Sequence, residues 1–474
     1  MEKLMYINGA WTGSSLSKIE VKNPATGELV GTVPKGGRRE TRDAIDAAHQ
    51  AFSEWSKLTA YDRADYLEKL YEKMLNVADE LAKVMTLEMG KPLQEAKGEV
   101  QYAATFLKWF AEESKRLYGR TIPSHVDSKR MLVIKQPVGV VGAITPWNFP
   151  AAMITRKLAP ALAAGCTFIV KPADETPLTA LFIAELCEEV GIPKGVVNVV
   201  TGEAAQIGEE LLTNPHVHKV TFTGSTEVGK LLLKQGADQV KKMSMELGGH
   251  APILVLDDAD LDKAVSGSVL SKFRNGGQTC ICGNRIYVQA GIHDEFVERF
   301  ADAASKLKVG NGLEDGVDIG PVINRQGYEK IERHVQNALQ HGASCVLGGN
   351  GAVNGDTYFY NPTVLTNVTP DMIIMNEETF GPVAPIQKIE DVDEANQLAN
   401  QTPYGLAAYV YTENYAKGIR IAEQLNYGIV GWNDAVPSAA QAPFGGMKQS
   451  GIGREGGIEG IEAYVETKYI AIGL

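Results

Sequence analysis

The sequence predicts an α/β protein made of a Rossmann-like parallel-sheet half, a second α/β half and a small β extension. Three observations carry this. From residue 138 onward, short apolar runs alternate with amphipathic, helix-like stretches; the alternation recurs between residues 253 and 432; and two segments, 119–136 and 461–472, alternate polar and apolar residues outside either unit.

Residues 40–115 come first and read as several helices, with Leu67, Leu70, Tyr71 and Met74 at spacings of three and four. The apolar runs 138–144, 167–171, 196–200 and 217–223 then read as strands, each followed by a helical segment. That order implies parallel strands joined by crossover helices and buried on both faces. The helix after Lys171 has a start and a stop in Thr176 as N-cap, Pro177 at the first helical position and Gly191 beyond the end. No low-complexity linker or short repeat separates the units, so the domains are expected to pack together.

At 474 residues the chain is long enough for two or three domains with large cores. A net charge of −12 argues against nucleic acid and anionic membranes as partners, which need clustered Lys and Arg. The start, MEKLMYINGAW, lacks the basic and apolar segments of a leader, and no run of about 18 apolar residues occurs, so a soluble, cytoplasmic protein is expected. Five cysteines, an odd number, do not make a disulfide framework. His216 and His218 flank one residue of a polar loop without ligand companions, and no metal site is read.

Candidate chemistry sits in separated segments. FRNGGQTCICGNR places Cys280 after a glycine turn, with Cys282 just beyond and Arg274 ahead. A thiolate attacks carbonyls when positive charge, a helix-end dipole or a base lowers its pKa. MELGGHAP puts Glu246, a potential base, at the end of an alternating run, followed by Leu247 and two glycines that let backbone approach a ligand. ITPWNFP sets Asn148 between a strand and a helix, where its amide can donate to a developing oxyanion. EETFGPVAP holds Glu378 in a turn.

VTFTGSTEVGKLLL reads as strand, turn and helix, the setting of a nucleotide-binding glycine motif. Gly224 to Lys230 matches the first part of a P-loop, but Leu231 stands where a magnesium-holding hydroxyl is needed. A dinucleotide phosphate at the helix N-terminus is the better reading. IVKPADETP ends a strand at Lys171, whose side chain can reach a ribose. If a helix begins near Pro150, Arg156 lies less than two turns in and leans back toward the N-terminus. Together with Arg274 it can hold a carboxylate through paired charge-assisted hydrogen bonds.

These segments, with NPATGE at residues 23–28 and PFGGMKQSGIGREG at 443–456, resemble the NAD(P)-dependent aldehyde dehydrogenase superfamily nearly end to end. Within it, MITRKLAPALAAGCT, SKFRNGGQTCICGNR and PFGGMKQSGIGREGG are most similar to the succinate-semialdehyde dehydrogenase branch. The resemblance implies the aldehyde dehydrogenase fold, with an NAD(P)-binding domain at 1–117 and 137–247, a catalytic domain at 248–449 and an oligomerisation extension at 118–136 and 450–474. It implies a homodimer or homotetramer.

By the same resemblance, Cys280 is the nucleophile, and Asn148 with the Cys280 N–H holds the oxyanion. Glu246 activates the hydrolytic water, so a free acid rather than a coenzyme A ester is the product. Glu455 relays the proton outward, with Lys157 in or near that relay. Thr223, Gly224, Ser225, Gly229 and Leu247 line the dinucleotide site, Glu378 and Phe380 place the nicotinamide ribose and ring, and Trp147 lines the same cavity. Asp174 accepts hydrogen bonds from the adenosine ribose and repels a 2′-phosphate, which favours NAD; aspartate is short for this position, and use of NADP stays open. Ser438 joins Arg156 and Arg274 as third ligand of an anionic semialdehyde such as succinate semialdehyde. Glutarate semialdehyde or neutral aldehydes are the runner-up substrates, and a cysteine hydrolase is the alternative enzyme class. Cys282 has two readings: packing beneath the loop, or a reversible Cys280 to Cys282 bridge that silences the nucleophile.

Overall fold

Strands without charged residues can bury both faces, and Val140–Ile144 is such a strand; in the computed structural model, which describes residues 1–474, it lies at the centre of a parallel sheet. Thr167–Lys171 and then Val197–Val199 line up on one side of it, all parallel. Val217–Thr223 and Lys242–Glu246 line up on the other side, also parallel. The chain therefore reverses its direction of advance between Val140–Ile144 and Val217–Thr223. In doubly wound sheets the crevice beyond the carboxyl ends of two such strands is where ligands bind. Short antiparallel strands complete the eight-stranded sheet at both edges.

Four helices, Arg38–Trp55, Ala60–Asn76, Ala78–Met89 and Leu93–Ser114, precede the central strand. Leu67, Leu70 and Met74 are buried as their spacing predicts, whereas Tyr71 is half-buried at the margin of the stripe. The helix after Lys171 runs Pro177–Glu189 with Thr176 as N-cap, and Gly191 follows with φ +81°.

The second half is a seven-stranded sheet with Ala251–Val255 and Gly283–Gln289 at its centre, parallel except for the edge strand Ser344–Leu347. A third, three-stranded antiparallel sheet pairs Val465–Gly473 with Lys129–Pro137, which in turn pairs with Arg120–Ile122. It exposes Tyr469 and Ile472.

The C-terminal part of the expected extension is narrower than 450–474. Gly451–Ile452 forms an antiparallel edge on the first sheet beside Met245 and Glu246, and the helix Gly457–Glu462 packs against the helices Leu93–Ser114 and Ala152–Ala164. The reason is local: a Cβ at Gly451 would lie 2.1 Å from the Met245 carbonyl, so only glycine permits this approach. Glu455 also finds cationic partners beneath the sheet. His218 lies on the strand Val217–Thr223 and not in a loop, and His216 stacks on His49 with centroids 4.0 Å apart.

The two large halves meet along a backbone seam. Leu93 N donates to Gly312 O at 2.9 Å, and a Cβ on Gly320 would stand 2.1 Å from the Gly90 carbonyl oxygen. Gly320→Ala is therefore expected to lower stability by about 1–3 kcal/mol, the usual cost of overpacking. Gly98→Ala, in a helix with open space around it, should be neutral or stabilising. Denaturant midpoints check both, and equal midpoints for the two variants would contradict the seam.

Candidate active site

The helix Leu261–Phe273 ends at Arg274, and the next three residues are left-handed: Asn275 at φ +53°, Gly276 at +62° and Gly277 at +73°. Asn and Gly are the types that visit this region at low cost. A Cβ on Gly277 would fall 2.2 Å from the Gly381 carbonyl. The turn is clamped by Gln278, whose Nε2 donates to Pro321 O at 3.2 Å and whose Oε1 accepts from Ile323 N at 3.0 Å. Asn148 Nδ2 donates across to the Gln278 carbonyl at 3.0 Å. Cys280 follows and borders two cavities of about 310 Å³ each.

The first cavity lies at the topological switch point. Trp147 and Asn148 line it from beyond Val140–Ile144, and Thr223, Gly224 and Ser225 line it from the end of Val217–Thr223. Leu247, Glu378 and Phe380 complete its wall. Phe380, at φ +57°, sets its ring edge-on to Trp147 with centroids 5.6 Å apart. Burial pushes Glu378 up to about 7 against the opposing charge of Lys330, and its carboxyl accepts from Gly249 N at 3.1 Å. Ser225 caps the helix Thr226–Gly236, and the free amides of that helix's first turn suit a phosphate. A Cβ at Gly248 would reach Glu378 Oε2 at 3.0 Å and narrow the cavity. Switch-point placement, an anion-binding helix end and an aromatic wall fit a dinucleotide.

Three expected dinucleotide residues lie elsewhere. Gly229 does not line the cavity: a Cβ there would meet Leu247 Cδ2 at 2.4 Å, so its role is to let the helix pack against Leu247. Lys171 and Asp174 sit outside the cavity at the end of the neighbouring strand, where Lys171 Nζ donates to Asp174 Oδ1 at 2.6 Å.

The second cavity is lined by Tyr102, Arg156, Arg274, Ser438, Phe444 and Glu95, among others. Arg156 is 2 % exposed and lies on the helix Ala152–Ala164. Its Nε is 2.9 Å from Glu455 Oε2, its guanidinium stacks 3.9 Å from the Phe444 centroid, and its NH2 group has no hydrogen-bond partner. Ser438 Oγ is likewise without a partner. Arg274 forms no ion pair, and the neighbouring Glu95 accepts from Asn275 N through both oxygens. Tyr102, Glu95 and Lys330 were not read from the sequence. In LQEAKGEV a signal was present, because Glu99 falls within the buried stripe Ala96, Val100, Ala103 of its helix.

Behind the thiol lies a cluster of charges. Lys157 Nζ bonds both Glu455 Oε1 and Thr223 Oγ1. Although burial opposes it, Lys157 and Arg156 hold Glu455 below the usual carboxylate range. Glu246 is pushed the other way, by burial and by the Glu455 charge, and its Oε2 makes no hydrogen bond. The two carboxyl groups titrate as a coupled pair, with Glu455 the ionised member. Glu246 lines neither cavity.

Burial pushes Cys280 up to about 12, and Arg156 and Arg274 only partly counter it, so the free site favours the thiol over the thiolate. Arg156 is already matched by Glu455, which weakens its pull. Cys282 is buried, donates to Gly277 O at 3.4 Å and accepts from Lys272 Nζ at 3.3 Å; all five cysteines are free. No three His, Cys, Asp or Glu side chains converge as a metal site.

A half-buried thiol between a dinucleotide-type crevice and an arginine-lined cavity defines a thiol-dependent oxidoreductase. The model of the aldehyde dehydrogenase family matches residues 11–470, and the chain belongs to that family. It is 54% identical to the succinate-semialdehyde dehydrogenase [NADP(+)] GabD of Escherichia coli and 53% identical to a glutarate-semialdehyde dehydrogenase of Pseudomonas aeruginosa, each over 99% of this chain and 97% of the relative. A crystal structure of succinate-semialdehyde dehydrogenase from Burkholderia pseudomallei superposes with a TM-score of 0.98 at 51% identity, covering 100% of this chain and 98% of that one.

A thiol held this high should be alkylated slowly at neutral pH. Iodoacetamide labelling of Cys280 in the nucleotide-free enzyme, read by peptide mass spectrometry, should accelerate about tenfold per pH unit from about pH 7 to 10. A plateau near pH 8 would mean that the arginines outweigh burial.

Proposed function

We propose that this aldehyde dehydrogenase oxidises succinate semialdehyde to succinate with a nicotinamide dinucleotide, through a thioester on Cys280 that water hydrolyses. The observation that carries the reading is the second cavity, where the unpartnered NH2 group of Arg156, the unpaired Arg274 and the unpartnered Ser438 hydroxyl border a space that ends at the thiol. The Arg156 NH2 group and the Ser438 hydroxyl are buried atoms without partners, which is costly; a bound carboxylate satisfies both and pairs with the partly exposed Arg274. The printed name of the E. coli relative supports the same substrate. Glutarate semialdehyde is the second reading, favoured by the name of the P. aeruginosa relative.

With the carboxylate on the arginines, the aldehyde carbon faces Cys280. As the S–C bond forms, the thiol passes its proton to solvent water and the carbonyl oxygen takes up the negative charge. The Cys280 N–H, which has no partner within the chain, and the second amide hydrogen of Asn148 receive that charge. A nicotinamide bound in the first cavity would accept the hydride that departs from the former aldehyde carbon, which leaves the thioester on Cys280. Glu378, Phe380 and Trp147 would hold it there, with the phosphates at Ser225. Water then attacks the thioester, and Glu246 takes its proton. Glu246, which burial and the Glu455 charge keep protonated at rest, first releases that proton to solvent; Glu455, held ionised by Lys157 and Arg156, is the weaker base and can relay the proton only in passing.

NAD would be favoured if the adenosine end of the dinucleotide extends out of the first cavity to the acid at Asp174. NADP is supported by the name of the E. coli relative and by the 2.6 Å pairing that spends part of the Asp174 charge on Lys171. The three-stranded sheet, with exposed Tyr469 and Ile472, supports a homodimer or a homotetramer joined through it. No helix is long and apolar enough to cross a membrane, and the five free cysteines suit a reducing, cytoplasmic setting.

Arg274→Ala should raise KM for succinate semialdehyde by about 10- to 100-fold, the worth of a charged hydrogen bond, while a neutral aldehyde is little affected. Equal losses on both substrates would remove the clamp. Glu246→Gln should still acylate in a single turnover while steady-state turnover falls by about 100-fold or more. Undiminished steady-state turnover would show that another group activates the water.

A further inference from the structure

The stretch from Thr145 to Ala151, between the central strand and the helix that carries Arg156 and Lys157, has no regular hydrogen bonding of its own. Asn148 nevertheless has to aim its amide to within a fraction of an ångström of a developing oxyanion. We propose that Lys91, through its buried pair with Glu99, is the positioning residue that fixes Asn148 for this task. The proposal rests on the reading of Asn148 as oxyanion donor.

Lys91 and Glu99 side chains are 0 % and 1 % exposed and pair at 2.5 Å. Lys91 Nζ also donates to the Asn148 carbonyl at 2.7 Å and sits 3.9 Å from the centroid of the Phe149 ring. Its contacts are thus the Glu99 carboxylate and two consecutive residues of the ITPWNFP loop. The other oxygen of Glu99 accepts from Ala151 N at 2.9 Å and Ala152 N at 3.2 Å. Ala151, the N-cap, offers no side-chain cap, so Glu99 supplies one from another helix.

A closed ring of bonds then reaches the nucleophile. Asn275 Nδ2 donates to the Asn148 carbonyl and to the Gln278 carbonyl, both at 3.1 Å, and Asn148 Nδ2 returns to Gln278 O at 3.0 Å. Lys91 is thus bonded to the residue whose side chain points at the thiol loop. Its own backbone lies in the seam, where a Cβ on Gly312 would be 2.5 Å from Lys91 O. Buried ion pairs contribute little net stability relative to apolar replacements, so a fully desolvated pair at this position is better explained by the geometry that it fixes.

Single-turnover acylation with succinate semialdehyde, and iodoacetamide alkylation of Cys280, test the proposal in Lys91→Met, Asn148→Ala and the double variant. Alkylation displaces iodide at a saturated carbon and builds no oxyanion. Lys91→Met should acylate about tenfold or more slowly, with KM and alkylation within about twofold of the parent, since a complete oxyanion donor is worth about 100- to 1000-fold. The double variant should be no slower than Asn148→Ala alone. Additive losses, unchanged acylation, or acylation and alkylation falling in equal proportion would overturn the role of Lys91. If Lys91→Met does not fold, Glu99→Gln keeps an acceptor for Ala151 N and should show the same selective loss. Undiminished acylation in Asn148→Ala would instead remove the oxyanion reading itself.

Discussion

The hydrogen bond from Asn148 Nδ2 to the Gln278 carbonyl joins the two α/β halves beside the reactive sulfur. Asn148 belongs to the loop beyond the central strand of one sheet, and Gln278 to the turn that precedes a strand of the other. Both cavities border the thiol beside that junction. Each half carries one cavity wall up to it, and neither half alone could enclose the thiol. The glycine seam at Gly90, Gly312 and Gly320 brings the two backbones close enough for such a bond to form.

Excluding water at this junction has an electrostatic consequence. Burial that protects a thioester also keeps the resting Cys280 neutral, despite two nearby guanidinium groups. Arg156 is divided between tasks: its Nε faces Glu455 and its NH2 group faces the second cavity. The same burial drives Glu246 and Glu455 apart in proton affinity, because Lys157 and Arg156 pair directly with Glu455, whereas at Glu246 burial and the Glu455 charge outweigh them. A holder of a proton and an ionised neighbour thus arise from two identical side chains by placement alone.

Much of this was legible in the sequence. Parallel strands buried on both faces read as short apolar runs, so Val140–Ile144 through Val217–Thr223 and their order followed from pattern. Cys280, Arg156 and Arg274, singled out by a glycine turn, a helix start and the family resemblance, line one cavity, and Asn148 lies across the thiol loop. What was not legible depends on long-range meetings. Lys157 and Glu455 are 298 positions apart, and their meeting was expected only through the family resemblance, not from GREG itself. The height of the Cys280 pKa depends on desolvation by segments remote in the chain. Gly229 matched a nucleotide motif yet serves packing against Leu247, since a glycine required for close approach reads the same whether ligand or side chain approaches. Glu99 shares the apolar stripe of its helix, but Lys91 stands in the loop between two helices and nothing local marks it as the partner of Glu99.

The central claim is that the arginine-lined cavity selects a carboxylate-bearing aldehyde for Cys280. The most direct measurement is kcat/KM from nicotinamide reduction, with NAD and with NADP, for succinate semialdehyde, glutarate semialdehyde, propanal and benzaldehyde. The account predicts that succinate semialdehyde exceeds the neutral aldehydes by about tenfold or more, the equivalent of one charged hydrogen bond. Neutral aldehydes performing equally well would leave the thiol chemistry in place and contradict the clamp.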